Sequence, residues 1–522
     1  MYIKMFNIFI SIMFNNISIH TILYTLFISY VTYKLPIIVN KTKHIYKIHV
    51  NKLAVVKKEK KKAVDSIKST FFHNQEEIIK QLENNSTTCD DILTMVNKYK
   101  NLTKKIWKDA KISGTVYTPG NEELNNLILE TYKQFQYSNP LHIDVFPGLQ
   151  IMEASIVNMC LNLYKAPKNA IGNITSGGTE SIFMACKAYR DFAKEVRGIQ
   201  YPEIIISSSA HVAFKKSAHY LNIKIVELKD HPITKKLDVS KLSDVLNHNT
   251  ILVVASAPSF ANGVIDPLNE ISDIVLKYDN KIGIHLDACL GGFLLPFMDI
   301  IYNYTSNLNF NTKGLTSISM DTHKYGCSPK GTSIILYRNT ELAHYQYFVD
   351  PNWIGGIYIS PTLAGSRSGE LIAGTWATMM YFGKSGYIKN TNKVLEIVDY
   401  IYKKLIKIDE IKVIVKPEVS IVSFTTKNID IYLLCQEMDK KGWSLNTLQF
   451  PSSAHICITP THTNISGEQF IKDIQDSINY IIENKLEKPD GVFGIYGSSQ
   501  AIPDRDMIKD IGYSYLDAYY NC

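Results

Sequence analysis

Between residues 146 and 385 the chain alternates short apolar runs with longer segments whose apolar positions recur every three or four residues. Runs at 204–206, 223–226, 251–254, 282–286 and 333–337 are rich in β-branched residues and predict strands. Segments 179–193 and 269–278 predict helices. Strands alternating with helices imply a mostly parallel sheet covered on both faces, whose ligands gather at the strands' carboxyl ends. Downstream, 386–522 predicts a smaller α+β unit: helices at 394–406, 432–440 and 470–482, a strand at 419–424, and strands near Trp443 and Ile456. Upstream, 71–145 reads as a helical N-terminal arm, from Ile78, Ile79 and Leu82 and then Leu124, Leu127, Ile128 and Tyr132 at helical spacings. The predicted fold class is α/β, a large mostly parallel-sheet domain over 146–385 with a smaller C-terminal domain.

The first 35 residues follow another pattern. No charged side chain lies between Lys4 and Lys34, and 17–33 is rich in Ile, Leu, Phe and Tyr. That run is long enough to cross a hydrocarbon core of about 30 Å as a helix. Asn7, Asn15, Asn16 and His20 weaken it, which keeps a signal peptide and an interfacial helix as alternatives. No clear small-residue cleavage site follows it, and this disfavours the signal peptide. Residues 1–35 are therefore expected to be a membrane anchor and 36–70 a Lys-rich juxtamembrane linker. The lysines beyond the run place that side, and the body of the protein, in the cytosol. They also explain the net charge of +7: residues 1–62 hold eleven Lys against Glu59, a balance of +10 that leaves −3 for the rest. The basicity is local and does not predict a nucleic-acid partner.

The eight cysteines are scattered, with no Cys-x-x-Cys pair and no Cys/His cluster, so neither a structural zinc site nor a disulfide framework is suggested. The chemistry is carried instead by four stretches. In Thr175-Ser176-Gly177-Gly178-Thr179-Glu180 two glycines let a ligand approach the backbone, and the following helix offers its N-terminal N–H groups to phosphate. His211, in Ser209-Ala-His211, can stack on a flat ring. Asp287 closes the run His285-Leu-Asp287, and a buried carboxylate needs a cation such as a protonated pyridine nitrogen. Lys324, in Asp321-Thr-His323-Lys324-Tyr-Gly326, sits in a mostly uncharged setting, where partial desolvation lowers a lysine's pKa toward the nucleophilic range. Each has a structural reading when taken alone: a capped glycine loop, a core or surface histidine, a capping aspartate, a solvated lysine. Together, in this order on one α/β pattern, they are the parts that hold pyridoxal 5'-phosphate, with the lysine joined to its aldehyde.

These motifs resemble the group II pyridoxal-phosphate-dependent decarboxylase-like enzymes, and within them the sphingosine-1-phosphate lyase family. The similarity extends to Ser138-Asn-Pro-Leu-His142, Phe146-Pro-Gly148, Gly263-Val-Ile-Asp-Pro267, Gly355-Gly-Ile-Tyr-Ile-Ser-Pro361, Ala364-Gly-Ser-Arg367 and Leu448-Gln-Phe-Pro451, and covers roughly 105–515. The resemblance implies the type I fold of these enzymes and cleavage of the C2–C3 bond of a phosphorylated sphingoid base to a long-chain aldehyde and phosphoethanolamine. It implies Lys324 as the lysine bonded to the cofactor, Asp287 as partner of the ring nitrogen and His211 as the stacking residue. Ser176, Gly177, Gly178, Thr179 and His323 would surround the cofactor phosphate, and Tyr117, His142 and Lys330 would hold the substrate phosphate. It further implies a homodimer, in which 355–367 reaches the partner's site, and an endoplasmic-reticulum membrane location. An amino-acid decarboxylase on the same fold, and a lipid-binding scaffold that has lost catalysis, are the alternatives. The chain departs from the family at Cys327, where an aromatic residue is usual; a roomier pocket and, if the position is accessible, an oxidation-sensitive thiol are the expectations there.

Overall fold

The computed structural model describes residues 84–103, 105–302, 307–490 and 505–520, together with positions 61, 64, 65, 78, 79, 81, 82, 493 and 494. The expected anchor at 1–35 and nearly all of the Lys-rich linker lie outside the described residues, among which no helix is long and apolar enough to cross a membrane. Of the described residues, those up to 85 and 505–520 belong to one unit and those from 86 to 494 to another. In the first, the main described element is a helix at Arg505–Tyr520.

The larger unit opens with α1 (Cys89–Lys100), α2 (Glu122–Phe135) and α3 (Pro147–Leu163). A seven-stranded sheet follows. Strand β1 (Ile171–Thr175) leads through two residues into α4 (Gly178–Arg197), then β2 (Glu203–Ser207), α5 (Ala213–Leu221), β3 (Lys224–Leu228) and β4 (Thr250–Ser256). Next come α6 (Leu268–Tyr278), β5 (Gly283–Asp287), α7 (Leu295–Tyr302), β6 (Leu315–Met320) and β7 (Ser333–Tyr337). The strand order is β1-β7-β6-β5-β4-β2-β3. Every pairing from β3 to β6 is parallel, while β7 runs antiparallel to both its neighbours. Every residue of β2, β4, β5 and β7 is buried, whereas Lys224 and Glu227 of the edge strand β3 are exposed. Central strands covered on both faces need apolar side chains at odd and even positions alike.

The period of two assigns those side chains to layers. Ile204, Ile206, Leu252, Val254, Ile335 and Tyr337 pack with α4 and α5 on one face. Ile205, Val253, Ala255, Ile284, Leu286, Ile318 and Leu336 face the other, against α3, α6, α7 and the long helix α8 (Gly369–Leu405). Helix α8 spans the boundary expected at 385/386 and is interrupted at Gly383, whose φ of 51° lies in the left-handed region that glycine reaches without strain. Beyond it β8 (Ile411–Val413), β9 (Ile421–Thr426), β10 (Asn446–Leu448) and β11 (Ser453–Cys457) form an antiparallel sheet in the order β8-β9-β11-β10. Helices α9 (Ile431–Lys440) and α10 (Asn464–Glu483) accompany it.

Two local expectations are corrected. Ile78, Ile79 and Leu82 are exposed and in no helix, since apolar spacing alone, without a surface to bury against, does not sustain one. The strand expected near Trp443 begins at Asn446; the buried indole of Trp443 donates to Asp473, and the neighbouring Ser444 bridges to Ile112. That bridge shows that the arm is not helical throughout. Residues 111–114 run beside the small sheet, Gly114 N donating to Cys457 O at 2.9 Å, and this brings Tyr117 to the cleft described next.

Candidate active site

The carboxyl ends of β1, β2, β4, β5 and β6 open into one cleft of about 490 Å³, within the range of cofactor and small-ligand sites. Its wall takes Ser176, Gly177, Gly178 and Thr179 from the β1–α4 turn, His211 from the β2–α5 loop, Asp287 from β5, and Asp321, His323 and Lys324 from the turn after β6. Tyr117 completes the side toward the small sheet. Ten of the eleven residues singled out in the sequence are thereby at the cleft or, for Lys330, against Tyr117. The exception is His142, which is exposed on the loop before α3 and is not among the lining residues.

The β1–α4 turn is held by a carboxylate. Glu180 Oε2 accepts from Ser176 N at 2.7 Å and from Ser176 Oγ at 2.6 Å, and its Oε1 accepts from Leu363 N at 3.1 Å. Helix α4 starts at Gly178, so its first N–H groups point into the cleft end of the turn, where an anion is favoured. A Cβ on Gly178 would lie 2.8 Å from both Asp321 Oδ1 and Cys289 Sγ, so the close approach of this turn to the floor of the cleft requires glycine.

The floor carries two buried carboxylates at the ends of adjacent parallel strands. Asp287 Oδ1 accepts from Cys289 N at 3.1 Å and Ser319 Oγ at 3.3 Å. Asp321 Oδ2 lies 2.9 Å from Lys324 Nζ and 3.5 Å from His323 Nε2. His323 Nδ1 accepts from Thr332 N at 3.3 Å, which leaves the ring proton on Nε2, toward Asp321. Burial above all lowers the pKa of His323; Asp321 opposes this, and Lys330 and Lys324 reinforce it. For Lys324 the expected direction is reversed. Burial does act to lower its pKa, as the sequence suggested, but Asp321, Cys289 and Asp287 together outweigh it, and the ammonium is held well above the usual lysine range.

His211 is exposed at the mouth, its Nδ1 accepting from Ala213 N at 3.2 Å, which leaves Nε2 as the donor. Lys330 Nζ sits 4.9 Å over the Tyr117 ring, and the Tyr117 phenol is held well above its usual pKa, first by burial and then by Cys457. Cys327 departs from expectation. Only 2% exposed and absent from the cleft wall, it donates from Sγ to Tyr117 O at 3.2 Å, and burial pushes the thiol up. The smaller side chain has been absorbed by packing, and an accessible oxidation-sensitive thiol is not what this position supplies. Asp321, Glu180 and Cys289 are cleft residues that the sequence reading assigned no role; a carboxylate three residues before the lysine was the available signal.

The pyridoxal-dependent decarboxylase conserved domain matches residues 83–427. A rat sphingosine-1-phosphate lyase is 42% identical over 86% of this chain and 79% of that protein, and a Dictyostelium discoideum lyase is 40% identical over 89% and 86%. Among solved structures, the sphingosine-1-phosphate lyase of Burkholderia pseudomallei superposes with a TM-score of 0.76 at 31% identity, covering 85% of this chain and 98% of its own. A Lactobacillus brevis glutamate decarboxylase at 21% identity, with a TM-score of 0.68 over 78% and 96%, shares the fold. The residues present fit pyridoxal 5'-phosphate, the cofactor of the family. The cleft offers an amine for its aldehyde, a buried carboxylate for its ring nitrogen and a glycine turn at a helix N-terminus for its phosphate. The chain belongs to the pyridoxal-dependent decarboxylase family and, within it, to the sphingosine-1-phosphate lyases.

Proposed function

We propose that this chain cleaves the C2–C3 bond of phosphorylated sphingoid bases such as sphingosine 1-phosphate, giving a long-chain aldehyde and phosphoethanolamine. The observation that carries the reading is the placement of Lys324 against the carboxylate of Asp321, in the same cleft as Asp287 and bordered by Tyr117, with Lys330 over the Tyr117 ring. When bound, the cofactor supplies a sink for the electron pair left on C2. The glycine turn and His323 would hold its phosphate, Asp287 would keep its ring nitrogen protonated, and His211 would lie against its ring. Lys324 would bind its aldehyde and, once displaced by the substrate amine, hold a proton at Nζ beside Asp321. The C3 hydroxyl loses its proton as the C2–C3 bond breaks, the C3 fragment leaves as aldehyde, and C2 takes up a proton.

For the substrate phosphate, the reading assigns Lys330 and Tyr117 as cation and phenol, with His142 as a third group. The exposed position of His142 is consistent with service in another subunit's site, and the homodimer we propose also draws on the segment 348–363. There Phe348, Val349, Trp353, Ile354, Ile357 and Leu363 are exposed together, an apolar run that a partner would cover. We further propose that 1–35 anchors the chain in the endoplasmic-reticulum membrane, with 36–70 as linker, 71–145 as arm, and the 146–385 and 386–522 domains in the cytosol. This draws on the uncharged run between Lys4 and Lys34 and the lysines after it.

Incubation of the purified protein with sphingosine 1-phosphate and, separately, with a panel of amino acids tests the reaction. Fatty aldehyde from the first and no carbon dioxide from the second is the expected result. Carbon dioxide release without aldehyde would identify a decarboxylase instead.

A further inference from the structure

Asp321 is the acidic residue of the cleft that the roles above leave without a function of its own. Its side chain is 1% exposed, yet it carries a charge on the floor of the cleft. A buried carboxylate is costly unless a cation answers it, and Lys324 Nζ at 2.9 Å does so on Oδ2. Oδ1 is buried and has no hydrogen-bond partner among the described residues. It lies where a Cβ on Gly178 would meet it, so the cofactor turn and this carboxylate are packed against each other with no room to spare. Five groups face it: Lys324 and His323 from its own turn, Cys289 from the turn after β5, Lys330 from the loop beyond, and Tyr117 from the N-terminal segment.

The geometry creates a competition. The nitrogen that neutralises Asp321 is the one the cofactor aldehyde must take. We propose that Asp321 is a positioning residue for Lys324: its carboxylate holds the amine in the cleft as an ammonium whenever that nitrogen is not bonded to the cofactor, and loading requires that ion pair to be given up. In the loading step the ammonium first releases one proton to solvent. The nitrogen's electron pair then bonds the aldehyde carbon, and the aldehyde oxygen leaves as water with the two remaining N–H hydrogens.

The proposal rests on the cofactor reading, and its test separates the two. The full chain, stripped of cofactor, is mixed with pyridoxal 5'-phosphate at a series of pH values, and the rate of uptake is followed by absorbance for wild type and Asp321→Asn. Uptake by wild type should rise with pH as the ammonium loses its proton. In Asp321→Asn the rise should move at least one unit toward acid, a tenfold change in the neutral fraction at a given pH. A mere packing role for Asp321 would alter the amplitude and not the position of the profile, so superimposed profiles overturn the proposal. A wild type that takes up no cofactor at any pH overturns the cofactor reading and this proposal with it. Should Asp321→Asn fail to fold, competitive acylation of the cofactor-free wild type decides the matter. Lys324 must then label at a higher pH than the surface lysines; labelling in step with them is contrary to the proposal.

Discussion

Gly178 is where single atoms decide whether the cleft can close on a cofactor. Gly178→Ala would drive a methyl group to 2.8 Å from Asp321 Oδ1 and Cys289 Sγ, neither of which can retreat, the one being ion-paired and both buried. Overpacking of this kind costs about 1–3 kcal/mol. We expect urea unfolding to register that loss together with a lower cofactor content in the purified variant; unchanged stability and full loading would be at odds with the packing described. Cys327 gives a second expectation. In the native protein Cys89, exposed, should react with a thiol reagent while Cys327 reacts only after unfolding, as peptide mass mapping would reveal. Lys324, Asp287 and the glycine turn were legible in the sequence because each lies at a break between an apolar run and a polar turn. The role of Asp321 and the sign of the Lys324 shift were not, because both depend on a distance of 2.9 Å that no spacing rule contains. His142 was placed by resemblance, and its exposed position in this chain carries no contact that the residue type alone could have foretold.

Elements were easiest to read where burial is complete. Strands β2, β4 and β7 are built on apolar or β-branched runs because sheet neighbours and helices cover them on both faces. Strand β1 carries polar Asn173, whose Oδ1 accepts from Gln346, and β6 mixes Ser317 and Ser319 with its apolar residues, so neither announces itself as clearly. Those serines have a function in the sheet: their hydroxyls take both ring nitrogens of the buried His285 at 2.7 and 3.0 Å. The antiparallel direction of β7 was not legible, since a period of two is the same read either way. Helix α10 begins with a reciprocal capping box between Thr463 and Ser466. Thr463→Ala removes the acceptor for Ser466 N and should cost about 1 kcal/mol, measured by denaturant unfolding, whereas an unaffected midpoint would mean that the first turn is held by its packing alone.

For the whole molecule, buried histidines set the response to acid. His285, His455 and His462 are each pulled down to about 4, in every case chiefly by burial, from an ordinary value near 6.5. They are neutral in the fold and bind protons more readily when unfolded, so their contribution is present above about pH 6.5 and is lost as pH falls toward 4. Asp266 acts in the opposite sense: burial holds it up to about 7, so its contribution is present below about pH 3.9 and is lost as pH rises to 7. Three groups against one predict that the urea midpoint falls between pH 6.5 and 4.5, and a flat or rising midpoint would contradict the burial of these rings. The central claim, that Lys324 in this cleft serves carbon–carbon cleavage of a phosphorylated amine, is tested most directly by product analysis with wild type and Lys324→Ala side by side, each supplied with pyridoxal 5'-phosphate and sphingosine 1-phosphate. Wild type should release long-chain aldehyde and phosphoethanolamine in equal amounts, and the variant should fall by at least about 10³-fold; a wild type that forms neither product, or a variant that matches it, would contradict the account.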